Sequence, residues 1–280
     1  MLNIRTPFKL VTNSDLEYAF RECVESKFIR KNEVYREFAD KIDFFPAMDN
    51  DDVNAYAGKR DDRYCVTLLG GLVAWVGHFA FLKTLSDMGM PTAKIVKLAE
   101  WTRRKVANDL DNINILTLTI HMVRETKFDF AKYQVDSSAF DERWRSNIMD
   151  TVIACISHEI GHICLGHCDS EEGAYDGTIM SANRNIERQA DLFSCSIIQC
   201  GSGVSTKGVG ALLLVSSFVC IDPKYKGDLT HPDSSERVEN MITSFKGILS
   251  PHDVELVRKM VVAYINTKPP KLPKKSPKRK

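Results

Sequence analysis

His158-Glu159-Ile160-Gly161-His162 is the stretch on which the reading of this chain turns. Two histidines four residues apart on a helix lie about 40° apart around its axis, so both imidazoles reach one metal ion. The glutamate between them points near the open coordination position, where a zinc-activated water would sit. The pattern fixes only three residues, and chance supplies it in roughly one chain in 100 of this length. Its surroundings therefore carry the weight.

The flanks are helical. Ile148, Val152, Cys155, Ile156, Ile160, Ile163 and Cys164 recur mostly at intervals of three and four, which makes one apolar stripe. No proline falls between Pro91 and Pro223. The spacing predicts one long helix over 138–167, with Gly166 ending it. Gly161 lets another backbone come close.

A hydrolytic zinc site needs a third protein ligand and an open position. A histidine six residues after the second motif histidine would be one answer, but Cys168 stands there and His167 comes one residue early. The other common answer is a glutamate on a second helix. Glu187 lies 25 residues past His162, in Asn185-Ile186-Glu187-Arg188-Gln189-Ala190-Asp191. Glu187 and Asp191 share a helical face. Glu187 is the expected third ligand, and Asp191 is expected to accept a hydrogen bond from a ligand histidine. Ala190 is small enough to let this helix pack on the motif helix. The competing reading of Glu187 is a solvated carboxylate paired with Arg184 or Arg188.

Four separated segments then show a resemblance. HEIGHICLGH from His158 to His167, ERQAD from Glu187 to Asp191, Thr230-His231-Pro232 followed by Glu236-Arg237-Val238, and Val53-Asn54-Ala55-Tyr56-Ala57 occur here. In type and order they resemble the gluzincin peptidases that include HtpX and the type I CAAX prenyl proteases. ImmA/IrrE-like regulatory peptidases are a close rival, since they also combine HE-x-GH with an E-x-x-A-[ND] helix. The late THP…ER segment and the NAY strand favour the first family. The resemblance implies that His231 stabilises an oxyanion and that Arg237 orients it or neutralises nearby carboxylates. It also implies that Asn54, Ala55 and Tyr56 lie on a strand that holds an extended substrate. One departure stands out: Asn54 and His158 are 104 positions apart, which implies an extra helical insertion between them.

The expected fold is mainly α with a small β-hairpin or sheet (α+β), a zincin-like arrangement of the motif helix and a glutamate-ligand helix. Residues 1–267 are expected to form one metallopeptidase domain. Within it, 1–48 would be an N-terminal helical segment with one helix over Ser14–Asp40, opened by a Ser14-x-x-Glu17 capping box. Residues 49–130 would hold a strand hairpin, Val53–Ala57 with Tyr64–Leu69, plus the helical insertion. Residues 138–247 would be the catalytic core. Helices are predicted over Leu72–Asp87 and Pro91–Asn108, and Asn112–Val123 fits either a strand or a short buried helix. The stretch 168–183 reads as an acidic lid and Gly201–Gly210 as a loop before an apolar helix. Two further helices are predicted over Ser234–Phe245 and Pro251–Ile265. His78 and His121 read as core histidines, and His167 as a surface residue at a helix end.

Composition sets the remaining bounds. The chain has 280 residues, 44% of them hydrophobic, enough for a sizeable core. The eight cysteines form no CxxC pair, and Met1–Leu10 has no long apolar run, so free thiols in a reducing, cytoplasmic setting are expected. The apolar runs Leu68–Leu82 and Val209–Ile221 fall short of the roughly 20 residues that span a bilayer, so buried helices and no transmembrane segment are expected. Net charge is +1, yet 268–280 alone holds six lysines and one arginine, leaving about −6 on the rest. With Pro269, Pro270, Pro273 and Pro277 this tail reads as disordered, with nucleic acid, anionic membrane or an acidic protein as candidate partners.

The function expected from these residues is zinc-dependent endopeptidase chemistry on a protein or peptide substrate. One Zn²⁺ per chain is held by His158, His162 and Glu187, and Glu159 is the general base. The alternatives are a regulatory peptidase of narrow specificity, or a zinc-stabilised binding module with little hydrolytic activity.

Overall fold

The structure is a computed structural model and describes residues 10–109, 114–127, 136–169, 184–221 and 234–267. The described chain is mainly helical, with one three-stranded sheet.

The N-terminal stretch departs from the expected single helix. It forms three: α1 (Asn13–Val24), α2 (Lys27–Arg30) and α3 (Glu33–Ala39). Each break carries its own cap. The Ser26 hydroxyl accepts the Ile29 N–H, and Asn32 Oδ1 accepts the Tyr35 N–H at 3.2 Å. Such side chains offer the backbone an alternative to continuing the helix. The capping box of α1 is Thr12 with Asp15, not Ser14 with Glu17.

Strand β1 (Ile42–Ala47) was not expected. It pairs in parallel with β3 (Arg63–Leu69), and β3 pairs antiparallel with β2 (Ala55–Arg60), giving the order β1-β3-β2. The β2–β3 hairpin matches the expected one, but its strands run on to Arg60 and Arg63. Only Asp61 and Asp62 are left in the turn, and Asp61 takes a left-handed φ of +56°. Pro46 is tolerated in β1 because that strand lies at the sheet edge. The Phe44 ring stacks on Phe20 of α1 at 5.0 Å between centroids.

Between the sheet and the motif helix the described residues are helical, as expected. Helix α4 (Gly70–Asp87) is buried along almost its whole length, and α5 (Thr92–Asp109) follows. Asn112 and Ile113 of the ambiguous stretch lie outside the described residues; from Ile115 it is a 3-10 turn (Ile115–Thr117) leading into α6 (Leu118–Glu125), helix rather than strand. His78 of α4 is a core histidine: its ring nitrogens meet Thr119 Oγ1 at 3.1 Å and Thr102 Oγ1 at 2.8 Å. His121, by contrast, is exposed on α6.

Helix α7 (Ser137–Cys164) is the axis of the molecule. Asp136 caps it by accepting the Ala139 N–H at 2.8 Å. Around it pack α1, α4, β2, α8 (Arg184–Gln199) and α9 (Val204–Ile221). Helix α9 starts within the stretch expected to be a loop. Its Gly208 and Gly210 are contact points rather than breaks. A Cβ on Gly210 would lie 2.5 Å from the carbonyl carbon of Asp150, so the α7–α9 crossing requires glycine there. Starting at Val204, α9 has 18 residues and a length and hydropathy that would also suit a membrane span, yet 72% of it is buried inside the fold.

Helices α10 (Ser234–Ser244) and α11 (Pro251–Asn266) close the far side of α9. Lys83 of α4 is buried between Asp87 and Asp253, the latter 3.1 Å away on α11. One cluster of buried apolar side chains runs from Leu10 to Tyr264.

Candidate metal centre

The site is built where α8 crosses the C-terminal third of α7. Gly161 makes the crossing possible: a Cβ there would sit 3.2 Å from the Cα and carbonyl oxygen of Ala190 and from the Phe193 Cβ. With a bare α carbon facing a one-carbon side chain, the helices come close enough for Glu187 to reach the motif histidines.

His158 Nε2 lies 3.1 Å from His162 Nε2 and 3.4 Å from Glu187 Oε2, and His162 Nε2 lies 3.5 Å from Glu187 Oε1. Two ligands bound at about 2.05 Å with a tetrahedral angle between them would be roughly 3.3 Å apart. The three sides of the triangle fit that spacing. Glu187 and His162 are buried and His158 nearly so, and the three can hold a metal ion. Charge agrees with this. Glu187 and Asp191, both held ionised, and Glu159 outnumber the guanidinium of Arg237, an excess of acidic groups that suits a cation.

The surrounding groups orient the ligands. Asp191 Oδ1 lies 3.0 Å from His158 Nδ1, although the nitrogen has no well-aligned hydrogen-bond acceptor. The contact is close but bent. Arg237 grips Asp191 with two hydrogen bonds of 2.8 and 2.7 Å and approaches Glu187 Oε2 at 3.8 Å. Arg188 pairs instead with Glu236 at 2.6 Å, so the reading of Glu187 as its partner falls away.

Protonation follows from these contacts. Burial opposes a charge on His158, but the carboxylates of Asp191 and Glu187 outweigh it and raise its pKa without a metal. Burial lowers His162, and the neighbouring His158 lowers it further. Burial would raise Glu187, yet the hydrogen bond and charge of His158 and the charge of Arg237 hold it well below the usual carboxylate range. Desolvation pushes Glu159 up to about 7, helped by the charge of Glu187 and opposed by the charges of His158 and Arg237 and by the Ala57 backbone N–H. As a residue Glu159 is partly buried.

That Ala57 contact turns the free edge of β2 towards the motif helix. Asn54 stands exposed just before β2, its Oδ1 accepting the Ala55 N–H at 2.9 Å, and Ala55 and Tyr56 are partly buried on the strand. Lys59 at the far end of β2 pairs with Asp169 at 2.6 Å, which also accepts from Tyr64 Oη at 2.7 Å.

His158, Glu159, His162, Glu187, Asp191 and Arg237 are thus gathered in one place, with β2 alongside. His231 lies outside the described residues, as do the rest of Thr230-His231-Pro232, residues 170–183 of the expected lid and the tail at 268–280. His167 was read as a surface helix-end residue. It is half-buried and its Nδ1 meets His162 Nδ1 at 3.1 Å. The signal that could have found it is Gly166, whose left-handed turn folds the next residue back over the helix.

A family model described as Peptidase U49 matches residues 141–256, a span that holds all six of these gathered residues. The match supports a peptidase, a hydrolase acting on protein or peptide. It does not single out the HtpX and prenyl protease family or the ImmA/IrrE-like peptidases. Comparison with curated proteins and with solved structures gives no match.

Proposed function

We propose that this chain is a zinc-dependent endopeptidase in which His158, His162 and Glu187 hold one Zn²⁺ and Glu159 is the general base. The observation that carries the reading is the ligand triangle, with sides of 3.1, 3.4 and 3.5 Å, on the helix turn that carries Glu159. Zinc at such a site lowers the pKa of a water towards neutrality and polarises the scissile carbonyl. The chain's own groups do the rest. A Glu159 carboxylate oxygen takes the proton of the attacking water and delivers it to the leaving amine. Asp191, held by Arg237, keeps the His158 ring turned so that Nε2 faces the metal. An extended substrate lies along β2 at Asn54, Ala55 and Tyr56, where backbone groups of an edge strand take up the peptide. The resemblance adds His231 as an oxyanion donor.

Elemental analysis of the purified chain beside Glu187→Ala tests the metal. About one zinc per native chain and clear loss in the variant are expected. A native chain that holds no zinc and takes up none would overturn the proposal. Glu159→Gln should keep most of the zinc while losing hydrolysis of a protein substrate, and full activity in that variant would remove Glu159 as the base.

A further inference from the structure

The two histidines of the triangle are supported differently. His158 turns its Nδ1 to a carboxylate, Asp191. His162 turns its Nδ1 to another imidazole, that of His167, whose Nε2 in turn meets Gln189 Oε1 at 3.1 Å. The end of α7 explains how His167 gets there. Leu165 is the C-cap, and Gly166 follows with φ +76°. The Gly166 N–H donates to the Ile163 carbonyl and the His167 N–H to the His162 carbonyl, both at 2.9 Å. This pair of bonds is the Schellman closure, which sets the residue after the glycine against the residue five positions before it. That contact is commonly between two apolar side chains. Here both positions are histidine, and their ring centroids lie 5.2 Å apart.

Resting on the zinc reading above, we propose that His167 is a positioning residue that fixes the tautomer and ring angle of His162. The proton assignments run outward from the metal. For His162 Nε2 to offer its lone pair to zinc, the proton must sit on Nδ1. His162 Nδ1–H then donates to His167 Nδ1, which must be the acceptor. His167 therefore carries its proton on Nε2 and donates it to Gln189 Oε1. Every donor in this chain meets an acceptor, and each group stays neutral. Glu187 and Gln189 lie on the same helix, so α8 supplies both the third ligand and the outer end of the His162 support.

The test uses the full chain labelled with ¹⁵N-histidine and loaded with zinc, together with zinc affinity by chelator competition. In the native protein His162 should bind through Nε2 and show a protonated, hydrogen-bonded Nδ1. His167→Leu, which removes the acceptor, should weaken zinc binding roughly 10- to 100-fold, the effect usual for loss of a group behind a metal ligand. His167→Asn, whose amide oxygen can stand where Nδ1 stood, should recover most of that affinity, which a merely space-filling role for the ring would not predict. Native-like affinity in His167→Leu would overturn the proposal, as would a native His162 bound through Nδ1, a result that needs no variant to fold. A native chain that binds no zinc would instead bring down the zinc reading itself, and that outcome is read on the native protein alone.

Discussion

Gly161→Ala places one methyl group where α7 and α8 touch, and its effect can be worked out from the distances. The new carbon would sit 3.2 Å from the Ala190 Cα, the Ala190 carbonyl oxygen and the Phe193 Cβ. None of these is the free end of a flexible side chain, so α8 must recede by a few tenths of an ångström. Overpacking of this kind costs about 1–3 kcal/mol. Alanine recovers about 1 kcal/mol of it by its better helix propensity. A net loss of about 0–2 kcal/mol in the metal-free protein is therefore expected. Glu187 sits one turn before Ala190 and recedes with it, stretching the 3.4 and 3.5 Å sides of the triangle. Metal ligands tolerate about 0.2 Å of error, so zinc affinity should fall about tenfold or more, equivalent to at least about 1.4 kcal/mol. Urea denaturation without zinc and chelator competition with it measure the two effects separately. A variant about 1 kcal/mol more stable than the native chain, with unchanged zinc affinity, would show that the helices do not meet at Gly161 as described.

Other perturbations have equally definite outcomes. Arg237→Met strips the buried Asp191 and Glu187 of their guanidinium and should cost about 3–5 kcal/mol in the metal-free protein, read by urea denaturation; a loss below about 1 kcal/mol would contradict the buried pairing. Asp150 lies buried in α7, and desolvation pushes it up to about 6 from an ordinary 3.8 despite Thr206 and Lys207 nearby. A raised folded-state pKa means that stability is greatest below the ordinary value and falls as pH rises through about 6. Asp150→Asn should flatten that slope and stabilise the chain at pH 7 by up to about 3 kcal/mol, so an unchanged slope would exclude Asp150 as its source. His231→Phe should lower kcat far more than it weakens zinc binding, and an unchanged kcat would leave His231 with a structural role only.

The residues of the candidate metal centre were legible because a helix converts sequence spacing into spatial proximity. His158 and His162 at four-residue spacing, and Glu187 and Asp191 at the same spacing, each define one face whatever the rest of the chain does. The small residues Gly161 and Ala190 announced that those faces meet. Features that depend on remote partners were not legible. Ile42–Ala47 has no period of its own and becomes a strand because β3, about twenty residues later, offers a parallel edge. The apolar pattern from Leu16 to Phe38 continues through Ser26 and Asn32, and only the caps reveal the breaks. Gly208 and Gly210 read as loop residues because their role, contact with α10–α11 side chains and with α7, lies entirely in other segments. The contact of His167 with His162 was not legible for a local reason: it is set by the handedness of one glycine rather than by helical period.

Helix α9 has one more consequence, and it concerns the order in which the chain is made. Synthesis runs from the N-terminus, so Val204–Ile221 emerges before Ser234–Ser244 and Pro251–Asn266, which later cover one side of it. For the time needed to add some 45 residues, roughly 2–9 s at ordinary elongation rates, a nascent segment with the hydropathy of a membrane span lacks part of its shelter. Its other side can already lie against α7, where Gly210 permits backbone contact. A bulkier residue at 210 would therefore act first on the growing chain, leaving this helix exposed to chaperones and membranes on both sides before α7 and α8 had a chance to bring His158, His162 and Glu187 together.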